Sequence, residues 1–207
     1  MTELVLHSRT KENCFRHLSA CFYEPQKKLF LEENLFKNLT ENLKQVCPGA
    51  ADFSSNIERS IHDYTEEVLC IEYAKLFVGP FELLAPPYGS VYLDDGGRVM
   101  GDSTMKVIEA YQEEGLSKND DFKDLPDHIT VEMEFMSYLI YKEREALQKS
   151  DLDTAKEYAN KQEDFLKNSI RPWVYQFCSR IKEGTDNEFY RSLADCLSVF
   201  VGDCNNI

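Results

Sequence analysis

The feature that most limits what this chain can fold into is its apolar spacing, which keeps returning to the helical period. Cys14, Leu18 and Cys21 fall at i, i+4 and i+7, with Phe15 and Phe22 beside them. That spacing lays one broad apolar stripe along a helix. Tyr23-Glu24-Pro25 closes it, because a residue before proline is pushed out of the helical region. Leu35, Leu39, Leu43 and Val46 mark a second helix, which stops at Cys47-Pro48-Gly49. Ile57, Ile61, Tyr64 and Val68 mark a third, continuing through Leu69, Tyr73 and Leu76 to Gly79-Pro80. Later, Ser103 or Thr104 is expected to cap a helix whose inner face is Val107, Ile108 and Tyr111 and which ends at Gly115. A charged connector, Ser117 to Lys123, then leads to Asp127. That residue is the expected N-cap of a helix burying Val131, Phe135, Tyr138 and Leu139. Another helix runs from near Asp153 toward Ile170. Pro172 should break it, so Trp173, Phe177 and Ile181 define a new one ending at Gly184. Phe189, Leu193, Leu197 and Phe200 form the last. The expected fold is therefore all-α, a single-domain bundle of about nine helices over residues 1–207.

One segment departs from the pattern. Residues 78–103 hold five of the nine glycines and three of the seven prolines. Asp94-Asp95-Gly96-Gly97 is turn chemistry, and a short hairpin from Ser90 to Met100 fits it. Long stretches without a helix are often functional or hinge-like, which leaves room for a hinge within 78–125.

Composition excludes some function classes. Lys and Arg number 23 against 37 Asp and Glu, a net charge of −14. A surface that acidic repels phosphate backbones and anionic lipid heads, so no nucleic-acid partner and no stable membrane insertion is expected. It suits a cationic partner. The start of the chain lacks the basic and apolar regions of a secretory signal, which points to the cytoplasm. Seven cysteines with no Cys-x-x-Cys pair read as reduced core thiols rather than a disulfide framework.

Enzyme motifs mostly fail. There is no Gly-x-Ser-x-Gly elbow and no His-Glu-x-x-His, and no histidine has a Glu three residues before it. Gly96 to Ser103 has the outline of a phosphate loop, but Asp102 stands where its lysine should be. Two clusters remain. Cys14, His17 and Cys21 share a helix face and could offer soft metal ligands, but the reading taken is a mostly apolar stripe carrying one partly buried histidine, with no metal site. Asp127 and His128, with Glu132 a turn beyond, could do acid–base work or grip a cation. Otherwise Asp127 is a cap and His128 a clasp on the preceding loop.

Three segments carry a resemblance: Tyr73-Ala74-Lys75-Leu76-Phe77-Val78-Gly79-Pro80, then Pro86-Pro87-Tyr88-Gly89-Ser90-Val91-Tyr92, then Leu125-Pro126-Asp127-His128 before a Glu-rich helix. In this order and spacing, over roughly residues 10–200, the chain resembles the TorD/DmsD family of cytoplasmic chaperones for molybdoenzyme maturation. One departure is that the family usually places Glu before its Pro-Asp-His element, whereas here the nearest acid is Asp124. The resemblance implies an all-helical chaperone with no catalytic activity or cofactor of its own. It implies binding of a client molybdoenzyme and its twin-arginine signal peptide, so that export waits for molybdopterin cofactor insertion. It also implies a monomer or a domain-swapped dimer. Nucleotide binding has been suggested for some members, and no recognised loop for it is present. A leader of two arginines followed by an apolar segment needs carboxylates beside an apolar groove. The candidate acids are Asp124, Asp127, Glu132 and Glu134, with His128 fixing the junction. The candidate groove residues are Tyr73, Phe77, Tyr88, Tyr92, Met133 and Met136, each of which also reads as ordinary core. Two other functions compete: a small metal-dependent enzyme using Asp127, His128 and Glu132, and a helical scaffold with an unrelated partner.

Overall fold

The computed structural model describes residues 2–79, 83–117 and 124–203. Within them lie eleven α-helices: α1 (Thr2–Ala20), α2 (Lys27–Glu32), α3 (Leu35–Val46), α4 (Pro48–Ser60), α5 (Glu66–Tyr73), α6 (Ser90–Leu93), α7 (Asp102–Glu113), α8 (Ile129–Gln148), α9 (Leu152–Phe165), α10 (Arg171–Gly184) and α11 (Glu188–Asp203). The fold is all-α, as the periodicity predicts, and the described residues form no strand beyond one isolated bridge between Tyr88 and His128.

The long helices pack in a continuous sequence, with α9 on α8, α8 on α1, α1 on α3, α3 on α4, α4 on α11, and α11 on α10. Phenylalanines knit the middle. Phe15 meets Phe200 at 4.8 Å, Phe36 meets Phe189 at 5.7 Å, and Phe22 meets Phe177 at 5.6 Å between ring centroids. Because α8 is packed on one side by α1 and on another by α9, it buries more than one stripe. Ile129, Met133, Met136 and Ile140 are fully buried along with Phe135 and Leu139.

Four local expectations are corrected. The third helix is two. Pro48 opens α4, where its fixed φ suits the first helical position. The chain then breaks at Tyr64, and Thr65 caps α5 by accepting the Val68 N–H at 3.2 Å. That break resets the phase, so Leu69 is buried and Val68 is 40 % exposed. Pro172 does not end a helix. A π turn over Leu166–Ile170, with the Arg171 N–H bonded to the Leu166 carbonyl, carries α9 into α10. The wider turn accommodates a residue that cannot donate. The 90–100 hairpin is absent, since Ser90–Leu93 is a helical turn. The cap of α7 comes from neither Ser103 nor Thr104. The Asp94 carboxylate accepts the Ser103 N–H at 3.2 Å and its hydroxyl at 2.7 Å. The other end of α7 is as expected. Gly115 sits at φ +69° and the Leu116 N–H reaches the Tyr111 carbonyl at 2.9 Å. The 118–123 part of the charged connector, Pro80 and Cys204 lie outside the described residues.

Candidate functional site

The two proline motifs meet. The Ile129 N–H donates to the Pro87 carbonyl at 2.8 Å, and the Gly89 N–H donates to the Asp127 carbonyl at 3.0 Å. The Asp127 side chain accepts the Ser90 N–H at 2.8 Å through Oδ2. Asp127 therefore ties the loop, and the N-cap of α8 is His128, whose Nδ1 accepts the Thr130 N–H at 3.2 Å. The two roles are swapped relative to the sequence expectation. With Nδ1 accepting, the ring proton sits on Nε2. His128 is 3 % exposed, and burial depresses its pKa to about 4, so the ring is neutral at pH 7.

Beneath this clasp, Trp173 donates its indole N–H to Glu132 Oε2 at 3.2 Å. Glu132 is 1 % exposed, and burial, then the nearby Asp127 charge, holds its carboxyl well above the usual range. Gly89 fits closely here, because a Cβ at that position would lie 3.0 Å from the indole nitrogen. Tyr92 stacks on Trp173 at 5.5 Å, donates to the Pro86 carbonyl at 2.8 Å, and carries the Arg180 guanidinium over its ring.

Above the clasp lies the candidate site. The Tyr88 ring meets His128 edge-on at 5.2 Å, and its hydroxyl donates to Asp124 Oδ1 at 3.2 Å. Tyr23, at the end of α1, donates to Glu134 Oε1 at 2.7 Å. Tyr73, at the end of α5, donates to the Phe22 carbonyl at 3.4 Å. All three tyrosines are half-buried and Glu24 and Glu134 are exposed. Each phenol is pushed up, first by burial and then by carboxylates. Glu134 and Asp124 act on Tyr23, Asp124 and Glu24 act on Tyr73 (to about 12), and Asp124 acts on Tyr88. Three tyrosines and three carboxylates thus share one neighbourhood. The arrangement suits a cation with an apolar body, through charge-assisted hydrogen bonds and ring faces.

The other predicted residues are placed differently. Phe77 is 4 % exposed and packs among Phe22, Tyr73, Phe177 and Tyr190. Met133 and Met136 are fully buried, and Asp127 and Glu132 are 1 % exposed, so none of these four lies on the surface patch. Asp127, His128 and Glu132 each bond to a different partner, the Ser90 N–H, the Thr130 N–H and the Trp173 indole. Among the described residues no group of three or more His, Cys, Asp and Glu is placed to hold a metal ion. In the α1 cluster, Cys14 and Cys21 are buried and burial depresses His17 to about 4. Sequence reasoning missed Tyr23 and Glu24. They read only as a helix stop, and nothing local says that residue 134 lies opposite. It also missed the apolar residues α5 turns to solvent, Val68 and Ile71, with Val78 and Leu84 beyond. Among the described residues no helix is long and apolar enough to cross a membrane.

Known proteins give the family. A chaperone protein TorD of Vibrio parahaemolyticus is 26% identical over 160 residues, 77% of this chain and 72% of that protein. A Haemophilus influenzae protein, described as a Tat proofreading chaperone DmsD, is 28% identical over 123 residues, 59% of this chain and 53% of that one. These relatives are named as chaperones, not as enzymes. A crystal structure of an Archaeoglobus fulgidus protein, described as a redox enzyme maturation protein, has the same fold. Its TM-score is 0.56 at 20% identity, covering 90% of this chain and 91% of the other. The family model for the nitrate reductase delta subunit matches residues 37–179, and the chain belongs to that family.

Proposed function

We propose that this protein is a redox-enzyme maturation chaperone that holds a client molybdoenzyme by its twin-arginine leader. The observation that carries the reading is the patch of Tyr23, Tyr73 and Tyr88 with Glu24, Asp124 and Glu134. Arginine guanidiniums make forked bonds to such carboxylates and stack on phenol rings. The helix that carries Tyr73 also exposes Val68 and Ile71, with Val78 just past its end, an apolar strip suited to the segment that follows the arginines. In this reading the chain has no cofactor of its own. The client's molybdopterin cofactor is inserted in the cytoplasm while the leader is held.

Titration of a twin-arginine leader peptide tests the reading. Affinity should fall as ionic strength rises, because partly exposed pairs are screened over about 8 Å at 0.15 M salt. Replacing both arginines with lysines should weaken binding about tenfold, the equivalent of ~1.4 kcal/mol. Affinity that is unchanged by salt and by the lysine swap would rule out the patch as the leader's binding site.

A further inference from the structure

One helix is held less firmly than the other long ones. Only Thr104, Val107 and Tyr111 of the twelve residues of α7 are buried, and among the described residues no backbone hydrogen bond joins α7 to another element. Two clefts border it. One of about 260 Å³ lies between α7, α8 and α9, floored by Phe135, Leu139 and Phe165. Another of about 290 Å³ borders its first turns at Ser103, Lys106 and Val107. Atoms that line such gaps forgo packing partners. The Thr104 hydroxyl is fully buried without a hydrogen-bond partner, which further weakens the closed state. We propose that α7 is a latched strap that opens as one unit, with Glu114 as its latch.

Glu114 stands at the C-terminal end of α7, where a negative charge works against the helix dipole, so what it stabilises lies outside its own helix. Its side chain is 5 % exposed and accepts from the Lys161 ammonium at 2.6 Å and the Tyr158 hydroxyl at 3.0 Å, both on α9. Losing one donor leaves a buried carboxylate short of a partner, which favours the open state. Two further ties hold the strap. Asp94 accepts from the Ser103 hydroxyl at the first turn, and the Tyr111 ring meets Phe135 at 4.6 Å while its hydroxyl donates to the Pro126 carbonyl at 3.0 Å. The chain can turn at both ends, since Gly97 before α7 and Gly115 after it sit at positive φ, which glycine adopts without strain. Isolated helices shorter than about 12–15 residues are marginal in water, so opening also unravels α7. It uncovers Phe135, Leu139 and Phe165, which are buried in the closed chain. This inference stands on the packing of α7 and does not require the leader reading.

Native-state amide exchange of the full chain tests the latch. The protected amides of α7, Lys106 to Glu113, should share one exchange rate, about tenfold or more above that of the slowest amides of α8 and α11. Lys161→Met removes the ammonium from α9 and leaves the sequence of α7 intact, so it cannot act through helix propensity. It should raise the common α7 rate about tenfold, with α8 and α11 unchanged. Tyr158→Phe removes one hydroxyl and should raise that rate about threefold; it carries the test if Lys161→Met does not fold. Each folded variant should also bind more of the apolar dye bis-ANS than the parent chain at equal helical content, because the rings beneath α7 are uncovered more often. Amides of α7 as slow as those of α8, rates graded inward from its two ends, or a rise shared by α8 and α11 would each overturn the proposal. Dye binding unchanged in the folded variants would overturn the uncovering of the rings.

Discussion

Asp127 and His128 show how far single residues can be read. Their sequence position announces a helix start and a clasp, and the structure contains both. Which residue does which depends on backbone angles. His128 has the extended φ/ψ of −70°, 139° that an N-cap needs, so Asp127 is free to face Ser90. Burial is the other quantity a residue alone does not reveal. Met133 and Met136 suit a plastic groove by type, yet both are core because α8 is packed by α1 and α9. The buried titratable groups make two predictions. His17 and His128 both have folded pKa values of about 4 against 6.5, so between those values the unfolded chain holds more protons. Stability should therefore fall as pH drops from 6.5 to 4, and His128→Gln should flatten that limb in urea melts run across the range. Glu132 has the opposite sign. Its folded pKa is raised, so the unfolded chain releases a proton that the folded chain keeps, and stability is lost as pH rises above 4.5. Glu132→Gln keeps an acceptor for Trp173 and should raise the melting temperature at pH 7. A lower melting temperature at pH 7 would mean that Glu132 is ionised in the fold.

Element boundaries were legible wherever a proline or glycine acts through local sterics, as at Pro25, Pro48 and Gly115. They were illegible where a distant side chain or an unusual turn decides. Asp94 caps a helix eight residues on, and the π turn passes Pro172 without a break. The 78–103 segment reads as an open loop, but among its described residues the middle is packed and the tip is open. Ala85, Pro86, Pro87, Gly89 and Ser90 are buried, whereas Asp95 to Met100 is exposed. Limited trypsin digestion should accordingly cut after Arg98 before it cuts within α1, α8 or α10. First cuts inside those helices would contradict the placement of the loop. Gly89→Ala should cost about 1–3 kcal/mol, because its Cβ would crowd an indole that is fully buried. A neutral effect in a denaturant melt would show that Trp173 has room to shift.

At the scale of the molecule, the all-α class and the three motifs that carry the family were present in the sequence. Tyr73, Tyr88, Asp124 and Glu134 were candidates from the sequence, but Tyr23 was not, and their assembly from five separate places along the chain was not legible. No period or spacing connects residue 23 to residue 134; only the packing of α1 on α8 does. The net charge of −14 suits a cationic partner, and the fold gathers carboxylates and ring faces at the patch where the leader is proposed to bind. The account therefore depends on a physical contact between Asp124 and a leader arginine. A double-mutant cycle measures that contact directly, using Asp124→Asn in the chaperone and citrulline for one arginine in the peptide. The account predicts a coupling of about 1 kcal/mol or more for one of the two arginines, beyond the ~0.3–0.5 kcal/mol within which independent sites add. Additivity within that margin for both arginines would contradict it.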